Sequence, residues 1–139
     1  MSATAVTKKK TFPSSAIAAK YGYEVVKDVE PSQFKVKNLK FITFLESGEL
    51  YINSITMCQR AVTLKGNLGL VDGQYLFDHQ NEIPKEMRGK YIVLPGTLLP
   101  DSDGDLRVAC LDWGGGCWVP CFGWFVNVWG GGGRFACGE

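Results

Sequence analysis

Histidine is almost absent from this chain: His79 stands alone among 139 residues. A nucleophile paired with an imidazole base therefore has a single candidate partner, and a histidine-rich metal site is excluded. No apolar run is long enough to cross a bilayer, and the N-terminus lacks the charged start and continuous apolar core of a secretory signal. A soluble chain without a membrane span is expected, its location (virion, cell surface or cytoplasm) left open. Neither sign of charge dominates, with 15 Lys+Arg against 14 Asp+Glu and a net charge of +1. That balance removes a whole-domain electrostatic argument for nucleic acid.

The five cysteines, Cys58, Cys110, Cys117, Cys121 and Cys137, are odd in number and irregular in spacing. They do not read as a disulfide framework, and without a CxxC pair they do not read as a zinc site, so free thiols are the default. Asp101, Asp103 and Asp105 have the alternate-carboxylate spacing of a calcium loop. The loop glycine is misplaced, however, and Asp112 stands where a bidentate glutamate belongs, so a hairpin turn is the preferred reading. The glycines at 114–116 and 130–133 are followed by neither Gly-Lys-Ser/Thr nor a helix start and are not nucleotide loops. No cofactor is expected.

The length fits one domain with a core of its own. Residues 1–13 read as a flexible leader, and Lys8, Lys9 and Lys10 within it read as part of that leader rather than as a nucleic-acid arm. Residues 14–139 form the domain. From Tyr21 to Leu45, apolar residues alternate with lysines as in two short strands broken near Pro31. A helix is expected from Glu46 or Ser47 to about Leu64, with Tyr51, Ile55, Cys58 and Val62 on its buried face and Gly66 at its end. A second is expected from Asp72 through His79, stopped by Pro84. Beyond it come a strand at Tyr91–Leu94 closed by Pro95-Gly96, a turn over Asp101–Asp105, a strand from Leu106, and then hairpins. The order is α+β, two helices with short antiparallel strands and no βαβ repeat.

All four tryptophans, Trp113, Trp118, Trp124 and Trp129, fall in the last stretch, separated mainly by glycine, cysteine and valine. Large aromatics supply buried anchors, whereas the small residues between them add little burial. The run Asn81–Thr97, then Arg107-Val-Ala-Cys-Leu-Asp-Trp113, then Trp118, Phe122, Trp124, Trp129 and Arg134-Phe-Ala136 resembles the variable proteins of diversity-generating retroelements. The resemblance spans roughly residues 34–137.

That resemblance implies a C-type lectin fold whose variable region, about 107–137, is rewritten by an error-prone reverse transcriptase acting at template adenines. Codons for Trp, Phe and Gly can lack adenine and persist, while Asn and Tyr codons scatter into other residues. It further implies that Cys110, Asp112, Gly114, Gly116, Cys117, Val119, Cys121, Gly123, Val126, Asn127, Val128, Gly130, Gly131, Gly132 and Gly133 are the varied, ligand-contacting positions. Trp113, Trp118, Phe122, Trp124, Trp129 and Arg134, with Gly115 and Ala136, would be the fixed frame. Pro120 and Phe125 depart from the family's more usual leucine. The implied activity is non-enzymatic binding of a protein or glycan, without metal, and with an oligomer left open. The alternatives are a viral decoration or assembly subunit and, behind it, a cysteine-dependent enzyme using His79.

Overall fold

The computed structural model describes residues 11–138. The lysines of the expected leader, Lys8 to Lys10, lie outside them. Ser14 is buried and ties the first helix, α1 (Ser15–Lys20), to the domain: its N–H and hydroxyl both donate to Asp28, whose carboxylate also accepts from Thr97. Sequence periodicity gave no sign of α1, which has six residues and buries only Ala18.

Seven strands follow: β1 (Lys40–Ile42), β2 (Tyr51–Asn53), β3 (Tyr91–Pro100), β4 (Leu106–Gly114), β5 (Cys117–Trp124), β6 (Val128–Gly130) and β7 (Gly133–Cys137). Five form one sheet in the order β1-β7-β3-β4-β5, and β2 pairs with β6 in a separate ribbon. All neighbours are antiparallel except β3 and β7. The first and last strands of the main sheet are thus partners, Lys40 opposite Cys137. Among the described residues, three α-helices and two sheets make the fold mixed α+β.

Helix α2 (Ser54–Thr63) begins later than expected, because Tyr51–Asn53 is taken by β2 and the Asn53 side chain caps the helix by accepting from the Thr56 N–H at 2.8 Å. Its buried face is Ser54, Met57 and Ala61, while Ile55 and Val62 are exposed and Tyr51 lies on the ribbon. The expected face is therefore rotated: the small Ser54 and Ala61 let the helix approach the sheet, which the bulkier stripe could not. Lys65, at φ 59°, ends the helix in the left-handed conformation. Gly66 serves close packing instead, since a Cβ there would stand 2.6 Å from that of Phe135. Helix α3 (Leu70–Asp78) follows its N-cap Gly69, starting ahead of the expected Asp72 and stopping before His79, and its buried Asp72 accepts from the Ser32 and Gly69 N–H groups. Burial holds the Asp72 carboxyl above its ordinary range despite those bonds.

Two strand assignments change. The stretch from Tyr21 to Pro31 carries only an isolated bridge, Lys27 to Leu98, and Val36–Asn38 is a single 3₁₀ turn. Its apolar residues pack as irregular chain, with Tyr23, Val25 and Phe34 against the core. Pro95-Gly96 does not close β3. The strand runs on with an irregularity in register between Leu94 and Leu98.

The main sheet divides the core. One side holds Ala109, Leu111 and Trp118 with α1 and α3, while the other holds Val93, Val108, Trp129 and Phe135 with α2. Strand β5 is one edge of the sheet, the short β1 being the other, and contains Pro120, opposite Leu111. Counting from the Gly114/Cys117 pair that flanks the turn, Leu111/Pro120 is a non-hydrogen-bonded pair, so the donor that proline lacks would have pointed away from β4.

Candidate functional site: one face of the β4–β5 hairpin

Strands β4 and β5 are joined by Gly115 and Gly116, at φ 64° and 86°. Two consecutive positive φ values make a type I′ turn, whose twist matches that of the strands it joins. The ladder then runs in unbroken register from Gly114/Cys117 to Arg107/Trp124. Side chains alternate between faces along a strand and match across it. Val108, Cys110, Asp112 and Gly114 of β4 therefore share a face with Cys117, Val119, Cys121 and Gly123 of β5. Arg107, Ala109, Leu111 and Trp113 share the other with Trp118, Pro120, Phe122 and Trp124.

Each face has its own chemistry. On the aromatic side Trp118 is 1% exposed, its ring edge-on to Trp113 at 5.6 Å and its backbone N–H donating to the Gln80 side chain. The Arg88 guanidinium lies over Trp113, and the rings of Tyr21 and Tyr23 pack on Phe122. Trp124 departs from the buried-anchor expectation. It is 37% exposed at the end of β5, with the Arg107 guanidinium 3.1 Å from its ring centroid. Arg107 is itself held by the Asp101 carboxylate at 3.2 Å and by the Phe122 carbonyl.

On the opposite face, Asp112, Gly114, Cys117 and Val119 are exposed, and Cys121 and Gly123 are half-buried. The chain after β5 extends this surface with exposed Val126, Asn127, Val128, Gly131 and Gly132. Helix α2 fixes that chain from below: Ser54 donates to the Phe125 carbonyl at 2.6 Å and accepts from the Trp129 indole N–H at 2.7 Å. Arg134 closes the next loop by donating to the Gly131 and Gly133 carbonyls, and the Tyr91 hydroxyl accepts from the Gly130 N–H.

Three expected display positions are not open surface. Cys110 is 5% exposed, in the middle of the sheet beside Val93. Gly133 is buried, and a Cβ there would come within 2.4 Å of Phe44 and 2.7 Å of Tyr91. Gly123 covers the Trp129 ring, which a Cβ would meet at 2.6 Å. Gly131 and Gly132, by contrast, have ordinary contact or open space around them. The sequence supplied no signal separating these glycines, because their difference lies in what packs against the missing side chain. It also missed Tyr51, 62% exposed on the outer face of the β2–β6 ribbon with Gly130 as its partner.

The rival chemistries find little here. The Cys58 and Cys137 thiols are pushed up by burial, and that of Cys121 is pushed up by its hydrogen bond with Cys110 and then by burial. A nucleophilic thiol needs the opposite shift. His79 bonds the Tyr75 carbonyl through Nδ1 and stacks on the Tyr75 ring. Among the described residues, Asp101, Asp103 and Asp105 are the one group with metal-ligand spacing. Yet Asp101 already accepts from the Asp103 and Asp105 N–H groups and from Arg107. Burial opposes ionisation of Asp101, but these bonds outweigh it and hold the carboxyl low. Two clefts of about 400 Å³, one around Phe34, Asn38 and Lys65 and one around Thr43, Gln59 and Arg60, share no residue with the hairpin. No helix among the described residues is long and apolar enough to cross a membrane. No family model, curated protein or solved structure matches this chain.

Proposed function

We propose that the chain is a hypervariable binding protein with a C-type lectin-like fold, diversified by a retroelement, which presents one face of the β4–β5 hairpin and the loop behind it to a protein or glycan. The observation that carries this reading is the alternation across the hairpin: small, chemically unrelated residues occupy one face, and the aromatic frame occupies the other. At the exposed positions of the first face, Asp112, Gly114, Cys117 and Val119, replacing a side chain does not disturb packing on the second, which is the physical requirement for a surface that tolerates rewriting. Pairing of the first and last strands of the main sheet, with a small ribbon and helices beside it, supports the lectin-like part. The turn fits too. Position 116 requires positive φ, which Gly and Asn tolerate best, and an Asn codon becomes a Gly codon by substitution at adenines alone.

Sequencing the locus in many individuals of the source population tests the proposal. A neighbouring reverse-transcriptase gene, a near-copy of the 3′ end differing at adenines, and variation concentrated at Asp112–Val128 with fixed Trp codons are expected. An invariant 3′ end without a template would overturn the reading and favour a viral assembly subunit.

A further inference from the structure

Cys110 and Cys121 stand directly opposite each other on adjacent strands. They share a face by the alternation above, with no residue between them in the ladder. We propose that this pair is a modification site, a dithiol that closes to a cross-strand disulfide on exposure to a disulfide oxidant such as glutathione disulfide and reopens on reduction.

The geometry permits the bond and makes it labile. Counting from the turn, Cys110/Cys121 is a hydrogen-bonded pair, for which Cα atoms lie about 5.5 Å apart, inside the range of natural disulfides at about 4.4–6.8 Å. Cβ atoms of opposite residues are about 4.5–5.5 Å apart, with hydrogen-bonded pairs at the wider end, against roughly 3.8 Å in a relaxed bridge. Closure must therefore draw the strands together, and strained bridges are the readily reduced ones.

Accessibility sets the order of events. Cys121 is half-buried and Cys110 buried. The Cys121 thiol, held above its ordinary range, reacts through a small thiolate fraction, so closure is slow at neutral pH and faster at alkaline pH; that thiolate attacks one sulfur of glutathione disulfide and expels the first glutathione thiolate. The Cys110 thiolate then attacks Cys121 Sγ in the mixed disulfide and expels the second. The two cysteines lose two electrons to the oxidant, and their protons end on the two glutathione thiols. Cys117 is exposed but opposite Gly114, so it has no partner across the ladder. The inference rests on register and not on whether the face is diversified.

The test uses the folded Cys117→Ser chain incubated with glutathione disulfide, quenched with acid and digested with trypsin. Cleavage after Arg107 and Arg134 releases a peptide whose remaining cysteines are Cys110 and Cys121. The expected result is a loss of about 2 Da from that peptide, the mass of the two hydrogens lost on bridging, restored by dithiothreitol. Cys117→Ser/Cys121→Ser, shown to be folded by circular dichroism, must not show the loss. A peptide that stays reduced, or one that holds glutathione on Cys121 without closing, would overturn the proposal.

Discussion

Replacing Trp118 by alanine empties a site that is fully enclosed, and a loss of about 3–5 kcal/mol is expected in urea denaturation. Trp124 carries the same residue type six positions on, yet its ring is partly in water and its main partner is the Arg107 guanidinium. Trp124→Ala should cost only about 1 kcal/mol, the scale of an exposed cation–π contact. Equal losses for the two variants would refute the distinction. The glycines divide in the same way. Gly133→Ala forces a methyl against the buried Phe44 ring and should cost about 1–3 kcal/mol. Gly131→Ala meets nothing closer than 4.0 Å and should stay within about 0.5 kcal/mol. A sequence cannot tell these residues apart, since a tryptophan or glycine codon carries no record of what packs against it from distant strands.

Among the elements, α2 is held at both ends by contacts that a titration or a cap substitution can reach. Arg60 donates to both carboxylate oxygens of Glu49, and with the Glu46 backbone contact this lowers the Glu49 pKa from 4.5 to about 2. The folded value lies below the unfolded one, so the contribution is complete above about pH 4.5 and disappears as pH falls towards 2. Glu49→Gln should therefore lower stability at neutral pH and flatten its fall across that window; an unchanged acid limb in a pH series of melts would contradict the assignment. At the other end, Asn53→Ala removes the cap and should cost about 1 kcal/mol in the same denaturation experiment. The presence of α3 was legible but its ends were not: it starts at Leu70, ahead of the expected Asp72, and stops at Asp78, six residues short of Pro84, because a 3₁₀ turn over Gln80–Glu82 intervenes. The face of α2 was not, because two apolar stripes compete on it and only the small residues fit the sheet. A strand from Leu106 with hairpins after it was legible, but the turn at Gly115-Gly116 and the two faces of the ladder were not, and β3 was misjudged at Pro95-Gly96. There the chain passes close to the Asn67 and Leu68 carbonyls and continues.

For the molecule as a whole, the separation of frame from surface predicts that many substitutions can be made together. A variant changed at once at Asp112, Cys117, Val119, Val126, Asn127 and Val128, all exposed, should keep its melting temperature within about 5 °C. A drop of 15 °C or more, on the order of several kcal/mol in a domain of this size, would show that the face takes part in folding. If the face is rewritten as proposed, some versions of it will be sticky, a hazard that individual side chains cannot remove. The edge strand carries a safeguard of another kind. Pro120 interrupts the outward row of donors on β5, along which a second molecule could otherwise zip. Its ring lies on the frame side, so this gap in the donor row belongs to the backbone and does not depend on which side chains the exposed face carries.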